Sequence, residues 1–349
     1  MINQFISHYK IIEKLGEGGM GIIYKAEDLK LKRTIALKVL PESFTQDEES
    51  KRRFLNEAQA ASSLQHNNIC TIHEIDETSN GQLFIAMDFY EGETLKEKIR
   101  EGPMPVEAAI EIIIQIAEGL KKAHENGIIH MDIKPANIFI TKEGTVKILD
   151  LGLAKKVDQT KLTRTGLRFG TTEYMSPEQI KGEKVDNRTD IWSLGTVLYE
   201  MLTGQHPFQA DYEQAVIYLI LNQEPEDVKN IRTDIPDRLL PVLEKSLAKD
   251  REDRYESMTS VLEDLRNVMS QKEFQSIQIE IPAPRPSQSI AVMPFVNMSA
   301  DPEQEYFCDG LTEELISTLS RIKDLKVVAR TSTYSLKGSG IDVLRSGKN

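Results

Sequence analysis

The stretch His130-Met131-Asp132-Ile133-Lys134-Pro135-Ala136-Asn137, followed by Asp150-Leu151-Gly152, constrains this chain more than any other segment. An acidic side chain, a lysine two residues on and an asparagine three beyond that can orient a hydroxyl, neutralise a moving phosphoryl group and hold a metal ion. The second Asp adds a metal ligand. Between these segments, Ile138-Phe139-Ile140 and Val146-Lys147-Ile148 flank Lys142-Glu143-Gly144. That pattern predicts a short hairpin with Asn137 and Asp150 at its two ends.

The two segments resemble those of the eukaryotic-type protein kinases, which read H-R-D-x-K-x-x-N and D-F-G. Met131 stands where the family has Arg, and Leu151 where it has Phe. Upstream, Gly16-Glu17-Gly18-Gly19-Met20-Gly21 sits between two extended patterns, which predicts a hairpin with a glycine-rich tip, where backbone amides can approach phosphate oxygens. A strand carrying Ala36-Leu37-Lys38 follows, then Thr45-Gln46-Asp47-Glu48, a capping box opening a helix with Phe54, Leu55, Ala58 and Ala61 on one side. Each of Lys38 and Glu57 alone reads as a solvated surface charge. Their order behind the glycine loop implies, by the resemblance, an ion pair.

Further along, residues 83–88 run as a strand into Phe89-Tyr90-Glu91-Gly92, which resembles the hinge between kinase lobes. By that resemblance Leu15, Gly16, Gly18, Gly21, Ala36 and Lys38 hold the nucleotide. Met87 packs behind the adenine, and Asp88 and Tyr90 offer it a backbone carbonyl and amide. A plain core methionine is equally consistent with Met87. Thr94-Leu95-Lys96-Glu97 is another capping box, and Ile110, Ile113, Ile114, Ala117 and Leu120 recur at helical spacing before Gly127. Tyr174-Met175-Ser176-Pro177-Glu178 resembles the A-P-E segment, Asp190-Ile191-Trp192-Ser193-Leu194-Gly195 the start of the buried helix F, and Arg254 the arginine that pairs with the A-P-E glutamate.

The resemblance covers residues 9–269, about three-quarters of the chain, with its motifs in order. It implies an α+β, two-lobed kinase fold, with a β-rich N-lobe over about 9–88 and a helical C-lobe over about 91–269. It implies ATP with Mg2+, or Mn2+ in its place. Asp132 orients the substrate hydroxyl and accepts its proton, Lys134 supports the transfer, Lys38 (with Glu57) grips the phosphates, and Asn137 and Asp150 hold the metal. Lys134 together with Gly170-Thr171, where Thr171 belongs to the substrate loop, implies transfer to Ser/Thr of protein substrates. Thr163 and Thr165 lie where relatives autophosphorylate, which implies self-association for transfer in trans; either alone reads equally well as an ordinary polar loop. The missing arginine at Met131 removes one jaw of the clamp that holds such a phosphate, leaving Arg53 and Lys155. Ala136 stands where some relatives carry an acidic residue that reads basic substrates.

Bulk properties agree. A formal net charge of -12 argues against a nucleic-acid partner, which relies on clustered Lys and Arg. Cys70 and Cys308 are the only cysteines, too far apart for a disulfide framework or zinc site, and a reducing cytoplasm fits. Residues 1–14 have no apolar core of secretory-signal length, and no run approaches the roughly 20 apolar residues of a membrane span.

After 269 the texture changes. Residues 270–288 contain Pro282-Ala283-Pro284-Arg285-Pro286 and read as a linker. Residues 289–349 read as strand, helix with Leu311, Leu315, Leu319 and Ile322 on one side, and strand. This partial β-α-β segment resembles the start of the N-terminal domain of TolB-like proteins, which follows kinase domains in bacterial signalling chains. It is too short to cover both faces of a sheet, so the chain is expected to end within a domain. A second reading makes the kinase fold a nucleotide-gated scaffold whose C-terminal part binds a partner.

Overall fold

Alternating apolar residues on either side of the glycine-rich stretch fold as an antiparallel hairpin with the glycines at its tip. The computed structural model describes residues 4–18, 21–41, 48–78, 80–151, 172–276, 289–295, 297, 304–320 and 326–327. Strands β1 (Phe5–Ile6), β2 (Tyr9–Gly18), β3 (Gly21–Asp28), β4 (Arg33–Val39), β5 (Ile72–Glu77) and β6 (Leu83–Asp88) form one antiparallel sheet in the order β1-β2-β3-β4-β6-β5. Gly21 pairs with Gly18 across the hairpin at φ +115°, and a Cβ there would lie 2.0 Å from the Val39 carbonyl oxygen. Only glycine lets β3 start this close to the end of β4.

Helix α1 (Glu48–Ser62) follows β4 in the chain. Its Phe54, Ala58 and Ala61 are buried in one cluster with Leu64, Ile69, Leu83, Ile85 and Leu151. Leu151 therefore fills the place under this helix that a larger aromatic would take, as expected of a branched apolar residue. Thr45 to Asp47 of the expected capping box lie outside the described residues.

The second lobe begins with β7 (Gly92–Thr94) and α2 (Leu95–Ile99), whose start is the expected capping box: Thr94 Oγ1 accepts from the Glu97 amide and Glu97 accepts from the Thr94 amide. Helix α3 (Val106–Glu125) precedes the β8 (Ile138–Thr141) and β9 (Val146–Ile148) hairpin, which pairs with β7 in a small sheet. Helices α4 (Pro177–Lys181), α5 (Arg188–Thr203), α6 (Glu213–Asn222), α7 (Val228–Ile231), α8 (Leu240–Ser246) and α9 (Met258–Ser276) complete it. The axis of this lobe is α5, buried along almost its whole length, with Trp192 stacked on Phe208 at 5.5 Å. A Cβ on Gly195 would meet Ser246 at 2.7 Å, so α8 packs against α5 at a distance set by that glycine. The two lobes meet through residues 89–91 and through backbone bonds from Cys70 N to Ile148 O (2.9 Å) and from Ile148 N to Asn68 O (2.8 Å).

The chain divides into two compact units, Met1–Glu273 and Phe274–Asn349. In the second, β10 (Ser289–Ile290) and β11 (Lys326–Val327) pair in parallel, with α10 (Gln304–Leu319) between them in sequence. Among the described side chains of α10, Thr312 is buried and its hydroxyl accepts from the Phe295 amide at 3.2 Å, while Leu311 and Leu315 are 43% and 40% exposed; Ile322 of the expected row lies outside the described residues. Helix α9 continues to Ser276, into the stretch read as linker, because the first proline there is Pro282.

One buried ion pair locks the second lobe. Arg254 donates to both oxygens of Glu178 at 2.8 Å each, and Thr189 Oγ1 donates at 2.7 Å. Burial pushes the Glu178 carboxyl up, but the guanidinium and hydroxyl hold it, on balance, below its usual 4.5. Its folded-state value is thus depressed, so its contribution is present above the unfolded value and lost as pH falls through the folded one. Arg254→Leu leaves the carboxylate buried and unpaired and is expected to cost about 3–5 kcal/mol at pH 7. Urea unfolding checks this, with the deficit against wild type narrowing on acidification as Glu178 protonates.

Candidate active site

The site is assembled around a turn that only a fixed acceptor can hold. At residue 131 the backbone takes φ +64°, a left-handed conformation that costs a side-chain-bearing residue roughly 1–2 kcal/mol. Asp190, at the start of α5 and fully buried, accepts from the His130 amide (Oδ2, 2.8 Å), the Met131 amide (Oδ1, 2.8 Å) and the His124 ring (2.7 Å). Burial pushes this carboxyl up, yet the His124 and His130 contacts hold it below the usual carboxylate value. The Met131 carbonyl accepts from Gln179 Nε2 at 2.9 Å, so both backbone polar groups of the turn are tied to helices.

His130 joins this turn to the second acidic segment. Its Nδ1 accepts from the Asp132 amide at 3.2 Å and its Nε2 lies 3.0 Å from the Leu149 carbonyl, so Nε2 carries the proton. The Leu149 amide donates to the Asn137 carbonyl at 2.8 Å. The hairpin β8–β9 thus places Asn137 and Asp150 side by side, as its sequence predicts.

Asp132 is buried and accepts from Lys134 Nζ at 2.8 Å and from Asn137 Nδ2 at 3.0 Å through the same oxygen; Asn137 Nδ2 also donates to the Asp132 carbonyl at 2.8 Å. Because the Asn137 nitrogen is engaged with Asp132, its oxygen is the atom it offers to a cation. Asp150 also sits in the left-handed region, at φ +55°, and its Oδ2 accepts from Lys38 Nζ at 2.6 Å. Asn137 and Asp150 together present an amide oxygen and a carboxylate, hard donors of the kind magnesium takes when phosphates complete its shell.

Above these groups, Ala36, Cys70 and Met87 form one buried apolar cluster, with Ile23, Phe89, Tyr90 and Leu149 packed on it. Burial pushes the Cys70 thiol up to about 12, so this is an inert, apolar wall. A Cβ on Gly16 or Gly18 would meet nothing within 4 Å, so the glycine strand faces open space. Leu15 is an exposed apolar residue at the loop's edge. The Asp88 side chain turns to His73 (2.8 Å) and Tyr90 (3.1 Å).

Of the sequence-derived site residues, Lys38, Asp132, Lys134, Asn137 and Asp150 converge, and Ala36, Met87 and Tyr90 line the adjoining wall. Glu57 lies in α1, but its side chain and that of Arg53 are outside the described residues, as are Gly152, Lys155, Thr163, Thr165, Gly170 and Thr171. Among described side chains, Lys38 pairs with Asp150. Cys70, Leu149 and Gln179 escaped the sequence reading; an apolar wall residue and a distant glutamine carry no local signature.

The sequence pattern described as "Protein kinase domain" matches residues 9–265. The chain belongs to the protein kinase family. This kinase is 40% identical over 270 residues to a probable serine/threonine-protein kinase of Clostridium perfringens, covering 77% of the chain and 39% of that relative. It is likewise 40% identical over 267 residues to the serine/threonine-protein kinase PknB of Mycobacterium leprae, covering 75% and 43%. It therefore spans about two-fifths of the length of these relatives. The crystal structure of the Mycobacterium tuberculosis PknI kinase domain aligns with a TM-score of 0.64 at 26% identity, over 77% of this chain and 99% of that one.

Asp190→Asn turns one acceptor into a donor facing an amide. Hydrogen bonds to a charged group contribute about 1.5–3 kcal/mol, and a stability loss of that size is expected by urea unfolding. Kinase activity assayed where the variant is still folded is expected to fall too, since the 130–132 turn then lacks its anchor.

Proposed function

We propose that this chain is a serine/threonine protein kinase that transfers the γ-phosphoryl group of ATP to Ser and Thr hydroxyls of proteins. The observation that carries the reading is the pairing of Asp132 with Lys134 and Asn137, beside the Lys38–Asp150 pair. Asp132 orients the acceptor hydroxyl and takes its proton late in transfer, while Lys134 offsets charge on the moving group. Lys38, to which the family resemblance assigns Glu57 as ion-pair partner, grips the nucleotide phosphates under Gly16, Gly18 and Gly21. The Ala36–Met87 wall takes the adenine, with Leu15 at its edge and the Asp88 and Tyr90 backbone as hydrogen-bonding partners. Asn137 and Asp150 hold magnesium, which when bound supplies charge neutralisation between phosphates. Thr171 belongs to the loop that receives the substrate.

The same reading places the kinase domain at 9–269 and assigns autophosphorylation in trans, through self-association, to Thr163 and Thr165. No helix among the described residues is long and apolar enough to cross a membrane, and we place the chain in the cytoplasm of a bacterial signalling system. The parallel β10–β11 pair supports reading 289–349 as the start of a TolB-like domain.

Lys38→Met and Asp150→Asn are each expected to lower phosphoryl transfer about 100- to 1000-fold while thermal unfolding stays cooperative. Asp132→Asn keeps ATP affinity and loses turnover. Radiolabel transfer to a basic acceptor protein, with nucleotide binding measured in parallel, checks both, and transfer by Asp150→Asn near the wild-type rate would sink the assignment.

Met131 sets the expected mode of control. A thioether cannot hold a phosphate, so of the positions that line the phosphate site in relatives, Arg53 and Lys155 stay basic here and residue 131 offers no bidentate grip to a phosphorylated Thr163 or Thr165. Combined Thr163→Ala and Thr165→Ala is expected to lower activity less than about tenfold, and Met131→Arg to make activity more dependent on phosphorylation. Kinetics on phosphorylated and dephosphorylated protein decide it.

A further inference from the structure

Strand β5 carries an extra residue opposite the hinge. Ile72 faces Met87 and Glu74 faces Ala86, so His73 is the bulged residue between them. A bulge of this kind re-aims a side chain out of the regular alternation. Here the imidazole turns along the strand end, and Nε2 lies 2.8 Å from Asp88 Oδ1.

The other Asp88 oxygen is held from the hinge itself, where the Tyr90 hydroxyl donates to Oδ2 at 3.1 Å. The Asp88 amide donates to the Thr71 carbonyl at 3.1 Å, just before the bulge. Tyr90 is fixed in turn: Lys147 Nζ sits 5.0 Å from its ring centroid, and the Phe139 ring centroid lies 6.4 Å away. Lys147 is itself anchored on the Asn67 carbonyl at 2.6 Å. A single carboxylate therefore ties β5, the end of β6 and the hinge tyrosine together, directly behind the buried Met87.

We infer that His73 is a positioning residue for adenine recognition, fixing the backbone of residues 88–90 through Asp88 and Tyr90 without touching the nucleotide. The inference rests on the nucleotide-site reading above. That reading places the adenine against the backbone of Asp88 and Tyr90, and hydrogen-bond recognition by backbone groups depends on how rigidly the backbone is held. Without His73 the carboxylate keeps one of its two partners, and residues 88–90 gain freedom that binding must then remove.

The test uses the whole chain and separates adenine from phosphate recognition by comparing adenosine with ADP in calorimetry, beside steady-state kinetics with ATP. His73→Phe and Asp88→Ala are each expected to weaken adenosine and ADP by the same factor, about 3- to 10-fold, and to raise KM for ATP alike. Turnover of His73→Phe at saturating ATP stays within about twofold of wild type. His73→Gln, whose amide nitrogen replaces Nε2, restores affinity, and the double variant is no worse than Asp88→Ala alone. Tyr90→Phe removes only the phenol oxygen from Asp88 and carries the same test if His73→Phe does not fold. Unchanged adenosine affinity in His73→Phe, or no recovery in His73→Gln, overturns the inference. Lys38→Met is the control for the underlying reading, since it weakens ADP more than adenosine; a wild-type chain that binds neither ligand overturns that reading and the inference with it.

Discussion

The Asp190 carboxylate is the fixed point of this molecule. It is fully buried at the head of the most buried helix, and it points two oxygens at consecutive amides of the 130–131 turn. A buried charge of this kind is tolerable because two backbone amides and the His124 ring donate to it. The left-handed turn at Met131 is held in the same way, by bonds that the extended chain cannot make. From that turn the order propagates outward: Asp132 is aimed by His130, His130 holds Leu149, and Leu149 sets where Asp150 begins. Position in the site thus descends from the core of the second lobe, through hydrogen bonds that alternate between backbone and side chain.

The second lobe supplies rigidity and the first supplies approach. Gly21 is forced tight against Val39, whereas Gly16 and Gly18 face open space, so one glycine run contains both an anchored root and an uncovered strand. Leu151 meets the buried face of α1 in a shared cluster, which links the helix of the first lobe to the segment that carries Asp150. Displacement of that helix is felt one residue from the carboxylate.

Much of this was legible because the relevant signals are local. The β8–β9 hairpin follows from two short apolar runs around a Lys-Glu-Gly turn and the Thr94–Glu97 capping box from four letters, whereas the Glu178–Arg254 pair, 76 residues apart, is implied only by the family resemblance. What escaped depends on contacts between distant segments. Nothing near Gln179 announces that it reaches the Met131 carbonyl, and nothing in Ile72-His73-Glu74 says that the strand gains a residue there. The leucine spacing of α10 announces a helix but does not say which face is covered, and among the described residues Leu311 and Leu315 are exposed. Thr312, a polar residue that periodicity passes over, takes the inner position by accepting a backbone amide.

The two ion pairs of the cleft bear on how a polyphosphate reaches it. The chain as a whole carries a formal charge of -12, which repels anions at long range. Within the cleft, Lys38 faces Asp150 at 2.6 Å and Lys134 faces Asp132 at 2.8 Å, so each carboxylate arrives with its own counter-charge. At physiological ionic strength the distant acidic surface is screened beyond about 8 Å. An incoming anion therefore meets the long-range field already attenuated and a cleft floor close to electrically neutral. Among the described residues, docking there requires Lys38 and Lys134 to exchange carboxylate partners for the incoming anion.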